Sequence, residues 1–158
     1  MILLLVLPKL RAILSIMFKE SEKKHILIIE DETDLRESLK VSLSHSGYEV
    51  TTIENTELAL QQLSTIKPSL ILLDILTESM DASLFLQRLR NLPPELKNTK
   101  VIVLTNLDDT ATREKMEKHG IECYLVKVRV SLQDILDSID TALLPLDNSD
   151  AKKTPLEL

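Results

Sequence analysis

The chain has 158 residues, 44% of them hydrophobic and 28% charged, enough for one ordinary core and too few for a second domain of usual size. A net charge of −6 argues against a surface built mainly to grip nucleic-acid phosphates, although a local basic patch stays open. Aromatic residues are 3% and Trp is absent, so base-stacking platforms and aromatic cages have almost nothing to be made from, and the single cysteine, Cys123, excludes an internal disulfide.

Met1 to Leu7 is apolar, Pro8-Lys9 interrupts it, and Arg11 to Phe18 is a second apolar stretch. Seven apolar residues are too few to cross a bilayer as a helix, and the segment lacks the basic leader and small-residue cleavage site of a secretory signal. Three readings stand open: a membrane-surface helix, a helix packed on the domain, or translated upstream sequence with the start at Met17, the last preferred.

From His25 onward, apolar β-rich runs alternate with helical patterns, as in strand-helix-strand crossovers feeding a parallel sheet. His25 to Glu30 is the first predicted strand. A helix follows with Leu35, Leu39 and Leu43 on one face, Thr33 and Asp34 as cap candidates, and Gly47 as its end. Glu49 to Ile53 is the second strand, and Glu57 to Leu63 the second helix, behind Thr56. Leu70 to Asp74 is wholly apolar until its last residue, which suits a strand covered on both faces. The helix after Asp81 is expected to turn Leu84, Phe85 and Leu89 inward, and Pro93-Pro94 stops it.

Lys100 to Thr105 is the fourth strand. The charged helix around Thr112 to His119 has few apolar positions, ends at Gly120 and is poorly committed to a core. Glu122 to Val126 is the fifth strand, with Cys123 as a buried thiol suited to a reducing compartment. The last helix opens near a capping box at Ser131 and carries Leu132, Ile135, Leu136, Ile139 and Leu143. Asp147 to Leu158 is polar and Pro-punctuated, a mobile tail. The expected organisation is a lead-in over 1–23, one domain over 24–145 and a tail over 146–158, with no effector domain following.

Glu30 and Asp31 end the first strand, Asp74 the third and Thr105 the fourth, while Lys127 follows the fifth, so all five fall on one sheet edge. Carboxyl ends of parallel strands are where open α/β sheets build their sites. Each residue alone has an ordinary explanation: Asp74 as a turn or capping acid, Glu30-Asp31 as acids favoured by a helix dipole, Thr105 as a β-branched strand residue, Lys127 as a snorkelling chain. Together they make a site. Three carboxylates in one cleft repel unless a cation offsets them, and an all-oxygen set points to Mg²⁺, with a backbone carbonyl near Leu76 as a further ligand. Lys127 and Thr105 then supply an amine and a hydroxyl for two oxygens of a phosphoryl group on Asp74. His25, His45 and His119 are scattered and expected at the surface. With Gly47 and Gly120 the sole glycines, a dinucleotide fingerprint is impossible.

Order and spacing resemble the receiver domain of bacterial two-component response regulators over about Lys24 to Leu144. The resemblance implies a doubly wound, five-stranded parallel α/β sheet of flavodoxin-like order 2-1-3-4-5. It implies that Glu30, Asp31 and Asp74 bind Mg²⁺ and that Asp74 takes a phosphoryl group from the phosphohistidine of a partner kinase or phosphotransfer protein. Thr105 and Lys127 match the family's hydroxyl and lysine, and Tyr124 its aromatic switch position. Phosphorylation would draw Thr105 inward, bury the ring and alter the surface of the fourth helix, fifth strand and fifth helix.

Three departures stand out: Thr77 to Ala82 lacks the family's Pro and Gly, Asn106 replaces a small residue, and Val128 replaces the proline after the lysine. A trans bond with a shifted Lys127 loop is expected there, and Asn106 is expected to slow hydrolysis of the phosphoryl group. The resulting expectation is a stand-alone cytoplasmic receiver that is no enzyme beyond its own phosphorylation and dephosphorylation. It would act on a downstream protein, without direct nucleic-acid contact or membrane contact other than through the leader. A constitutive adaptor that takes no phosphate is the alternative. An aspartyl-phosphate phosphatase is disfavoured, because Leu76 stands where a second acid would be wanted.

Overall fold

The computed structural model describes residues 23–76 and 80–144. The expectations for the leader, the Met17 start, the tail and residues 77–79 of the altered loop lie outside the described residues. Five strands, β1 (His25–Ile29), β2 (Glu49–Ile53), β3 (Leu70–Leu73), β4 (Lys100–Thr105) and β5 (Cys123–Val126), form one sheet in the order β2-β1-β3-β4-β5. Every pairing is parallel, in registers such as Ile29 with Leu73 and Thr105 with Val126. This is the doubly wound, flavodoxin-like arrangement expected from the sequence.

Because side chains alternate along a strand, each central strand feeds two cores. Ile26, Ile28, Leu70, Leu72, Ile102 and Leu104 pack against α1 (Thr33–His45) and α5 (Leu132–Leu143). Leu27, Ile29, Ile71, Leu73, Val101 and Val103 pack on the other face against α2 (Thr56–Ile66), α3 (Ala82–Arg90) and Met116 of α4 (Thr110–Glu117). Strand order reverses between β1 and β3, so the loops leaving them part and open a crevice at the carboxyl edge.

Local chemistry explains most boundaries and corrects several expectations. Glu32, with no side-chain cap bond, precedes α1, so Thr33 and Asp34 lie inside the first turn instead of capping it. Asn55 caps α2 by accepting the Leu58 amide, and the helix runs past Leu63 to Ile66 before Lys67 turns left-handed. Asp81 caps α3, whose buried face is Ala82, Phe85, Leu86 and Leu89; Leu84 is exposed, one helical step off that face. After α3 the chain makes one further turn at Pro94–Lys97. Asp109 caps α4 through the Ala111 and Thr112 amides, and Met116 is its buried residue, as the sparse apolar pattern predicts. Ser131 and Asp134 complete a capping box at α5, where Leu132 is exposed and Ile135, Ile139 and Ala142 are buried. Cys123 is half-buried on edge strand β5 instead of fully buried, and burial pushes its thiol up. Among the histidines only His45 is exposed: His25 shares a hydrogen bond with Thr51 Oγ1 (2.8 Å) and His119 with Ser83 Oγ (2.7 Å).

Candidate functional site

The crevice collects the acids because β1 and β3 are adjacent and in register to their ends. The Glu30 amide continues the ladder to the Ile53 carbonyl (3.1 Å) and the Asp74 amide to the Ile29 carbonyl (2.9 Å), so each acid is pinned one residue past its strand. Glu30 and Asp74 are buried, at 2% and 5% exposure, and Asp31 is exposed. One carboxylate oxygen from each of Glu30, Asp31 and Asp74 lies within 4.8 Å of the others.

Lys127 reaches into this cluster. Its Nζ donates to Glu30 Oε2 at 2.7 Å and to Asp74 Oδ2 at 2.6 Å. The expected shift of the Lys127 loop does not draw the amine away: the described residues contain no cis peptide bond, and Lys127–Arg129 forms a single 3-10 turn that keeps the amine on both acids. Burial opposes the ammonium charge, but the hydrogen bonds and charges of Asp74 and Glu30 together outweigh it and hold Lys127 above the ordinary lysine range. Glu30 is also pushed up, first by burial and then by the charge of Asp74, against the pull of Lys127 and the Glu32 amide. The Lys127 shift reflects two carboxylates around one amine, whereas the Glu30 shift is set first by its burial, with the charge of Asp74 adding to it.

The other expected members are placed as follows. The Leu76 amide donates to Asp74 Oδ1 at 3.0 Å, leaving the half-exposed Leu76 beside the acid. Thr105 is fully buried at the end of β4; its Oγ1 accepts the Leu107 amide (3.3 Å) and makes no hydrogen bond to the acids among the described residues. Tyr124 is buried at 6% exposure, and its hydroxyl donates to the Leu107 carbonyl at 2.8 Å. Leu107 therefore joins Thr105 to Tyr124 through the two sides of its own backbone. Arg113 of α4 covers the tyrosine ring at 4.9 Å from its centroid. Asn106 and Val128 are exposed.

Sequence reasoning missed Arg36 and Leu107. Arg36 Nη1 donates to the Glu30 carbonyl at 2.8 Å and the Asp31 carbonyl at 3.2 Å. Backbone carbonyls carry no side-chain signature, so no motif could have announced either contact.

The donor set suits a hard divalent cation: the clustered ligand atoms are all carboxylate oxygens, and three acids against one amine leave negative charge to be offset. At 4.8 Å, two carboxylates repel by roughly 3–4 kcal/mol at an effective dielectric of about 20, a cost that a bound cation removes.

Comparison with known proteins agrees with this architecture. Residues 26–140 match the response regulator receiver domain family. The chain is 35% identical over 108 residues to the "Probable transcriptional regulator ycf27" of Cyanophora paradoxa, covering 68% of this chain and 44% of that protein. It is 36% identical over 105 residues to the transcriptional regulatory protein CrdR of Helicobacter pylori, covering 66% and 48%. The chain thus spans about half the length of the curated relatives it matches. Among solved structures, a CheY-like receiver domain protein from Methanospirillum hungatei is similar with a TM-score of 0.71 at 27% identity, covering 77% of this chain and 94% of that one. Chemotaxis response regulator CheY4 of Vibrio cholerae shares the fold, with a TM-score of 0.69 at 21% identity over 77% of this chain and 99% of that one. The chain belongs to the response regulator receiver domain family.

Proposed function

We propose that the chain is a phospho-accepting signalling receiver in which Asp74 is the acceptor. An Asp74 oxygen attacks the phosphorus of a phosphohistidine on a partner kinase or phosphotransfer protein. The O–P bond forms as the N–P bond breaks, and the departing imidazole keeps the electron pair and takes up a proton. Glu30, Asp31, Asp74 and the Leu76 carbonyl would hold Mg²⁺, which supplies charge neutralisation for the phosphoryl oxygens. Lys127, released from its two acids, would hold one phosphoryl oxygen. Thr105 accepts from the Leu107 amide and so keeps its own hydroxyl hydrogen to donate to another.

The same bond offers a route outward. Drawing Thr105 toward Asp74 pulls on Leu107, on whose carbonyl Tyr124 rests, and Tyr124 in turn lies beneath Arg113 of α4. Output is read as a change in the α4-β5-α5 surface presented to a protein target, without direct nucleic-acid contact. The reading carries a cytoplasmic location; among the described residues no helix is long and apolar enough to cross a membrane.

The observation that carries this reading is the amine of Lys127 shared between two buried carboxylates at the ends of β1 and β3. Incubation with acetyl phosphate and Mg²⁺, followed by intact mass measurement of wild type and Asp74→Ala, tests it. An Asp74-dependent phosphoryl adduct is expected. Its absence would favour a constitutive adaptor, the reading to which the exposed Val128 and Asn106 lend themselves.

A further inference from the structure

We propose that Arg36 is the positioning residue of the cation site, an inference that rests on the reading of Glu30, Asp31 and Asp74 as that site. Its guanidinium braces the loop between β1 and α1. Nη1 takes the carbonyls of Glu30 (2.8 Å) and Asp31 (3.2 Å), and Nη2 takes Thr33 Oγ1 (3.3 Å). Its own amide donates to the Glu32 carbonyl at 2.9 Å. One side chain therefore ties down consecutive links of the segment that carries two of the three carboxylates.

The brace matters unequally for the two acids. The Glu30 carboxylate is also held by Lys127 (2.7 Å) and by the Glu32 amide (3.2 Å). The Asp31 side chain is exposed and makes no hydrogen bond or ion pair among the described residues, so the path of its backbone is what keeps it within 4.8 Å of the other two acids. Glu32 makes no side-chain cap bond, so the start of α1 supplies no equivalent hold. A planar fork can serve two carbonyls and a hydroxyl at once; a lysine ammonium in the same place lacks that fixed geometry. Removing the guanidinium frees Asp31 first, and the cation loses a ligand whose position had been fixed before it arrived.

Arg90 provides an internal control. It braces four carbonyls, those of Lys97 (2.7 Å) and of Thr99, His119 and Gly120 (each 2.9 Å), with none of the three site acids among its partners. Mn²⁺ binding, followed by electron paramagnetic resonance of the free ion, is measured on the full chain as wild type, Arg36→Met, Arg36→Lys, Arg90→Met and Asp31→Asn. Metal-free melting temperatures accompany each titration. Arg36→Met is expected to weaken Mn²⁺ binding by about tenfold or more, with partial recovery in Arg36→Lys. Arg90→Met is expected to bind as wild type does while melting no higher than Arg36→Met. Binding by Arg36→Met within about twofold of wild type, or an equal loss in Arg90→Met, overturns the role of Arg36 while the cation site stands. Wild-type binding that is absent, or unchanged in Asp31→Asn, removes the cation site itself and this inference with it.

Discussion

Replacing Lys127 with Met keeps most of the apolar stem and deletes the amine that Glu30 and Asp74 share at 2.7 and 2.6 Å. Both acids are buried, at 2% and 5% exposure, so the variant keeps two carboxylates in a poorly solvated crevice with no ion-pair partner left among the described residues. Removing one partner of a buried ion pair costs about 3–5 kcal/mol, and repulsion at 4.8 Å gives roughly 3–4 kcal/mol at an effective dielectric of about 20. The two figures describe overlapping effects and are not added. In metal-free buffer at about pH 8 the loss is expected to be about 3 kcal/mol, lowering the melting temperature by roughly 10 °C for a domain of this size.

The deficit should depend on pH. Glu30 is already raised from 4.5 by burial and by Asp74, and deleting Lys127 removes the main opposing influence. A carboxyl raised on folding binds its proton more tightly in the native state, so its contribution is most favourable below 4.5 and is lost as pH rises through the folded value. The gap to wild type therefore narrows on acidification. Mg²⁺ should rescue the variant more than it stabilises wild type, because the ion no longer competes with the amine. Melting curves of wild type and Lys127→Met with and without Mg²⁺ are the assay. Equal melting temperatures in metal-free buffer from about pH 5 to pH 8, with equal responses to Mg²⁺, would refute the reasoning. Wild type has its own alkaline limit: Lys127 is raised above 10.5, so its stabilisation is complete below that value and lost as pH climbs through the folded one.

Asp74→Asn leaves Lys127 facing Glu30 alone, so the metal-free variant should melt no lower than wild type and gain less from Mg²⁺; a drop of more than about 1 kcal/mol would contradict the crowding of charge. Asn106 is exposed directly after Thr105, and Asn106→Ala should shorten the lifetime of the phosphorylated state, as followed by the decay of the adduct mass; an unchanged or longer lifetime removes Asn106 from the account. Ser131→Ala deletes the hydroxyl of the α5 capping box and should cost about 1 kcal/mol in denaturant unfolding while leaving the acetyl phosphate reaction intact. Loss of the reaction in that variant would tie α5 capping to the site, which nothing in the present geometry suggests.

The sheet was legible because burial on both faces leaves β1, β3 and β4 almost no polar alternatives, so a single acid after Leu70 to Leu73 stands out. The convergence of Glu30, Asp31, Asp74 and Lys127 followed from strand ends sharing one edge, which topology enforces whatever the loops do. Helix starts were harder. Thr33 and Asp34 have the chemistry of caps, but the chain leaving β1 is already held by Arg36, and α1 begins one residue earlier with Glu32 uncapped. Leu84 and Leu132 look like core residues by composition, yet each lies outside the buried stripe of its helix, which is set by which neighbours the sheet presents. Arg36, Arg90 and Leu107 act through main-chain groups, and those contacts exist only once the fold is made.

Locating the phosphoryl group on the chain tests the central assignment most directly. After reaction with acetyl phosphate and Mg²⁺, borohydride reduces an acyl phosphate to the corresponding alcohol, and peptide mapping then identifies the modified residue. A mark at Asp74, dependent on Mg²⁺ and absent from other carboxylates, is the predicted result. A mark on Glu30 or Asp31 instead, or none on a chain shown to be folded, would contradict it.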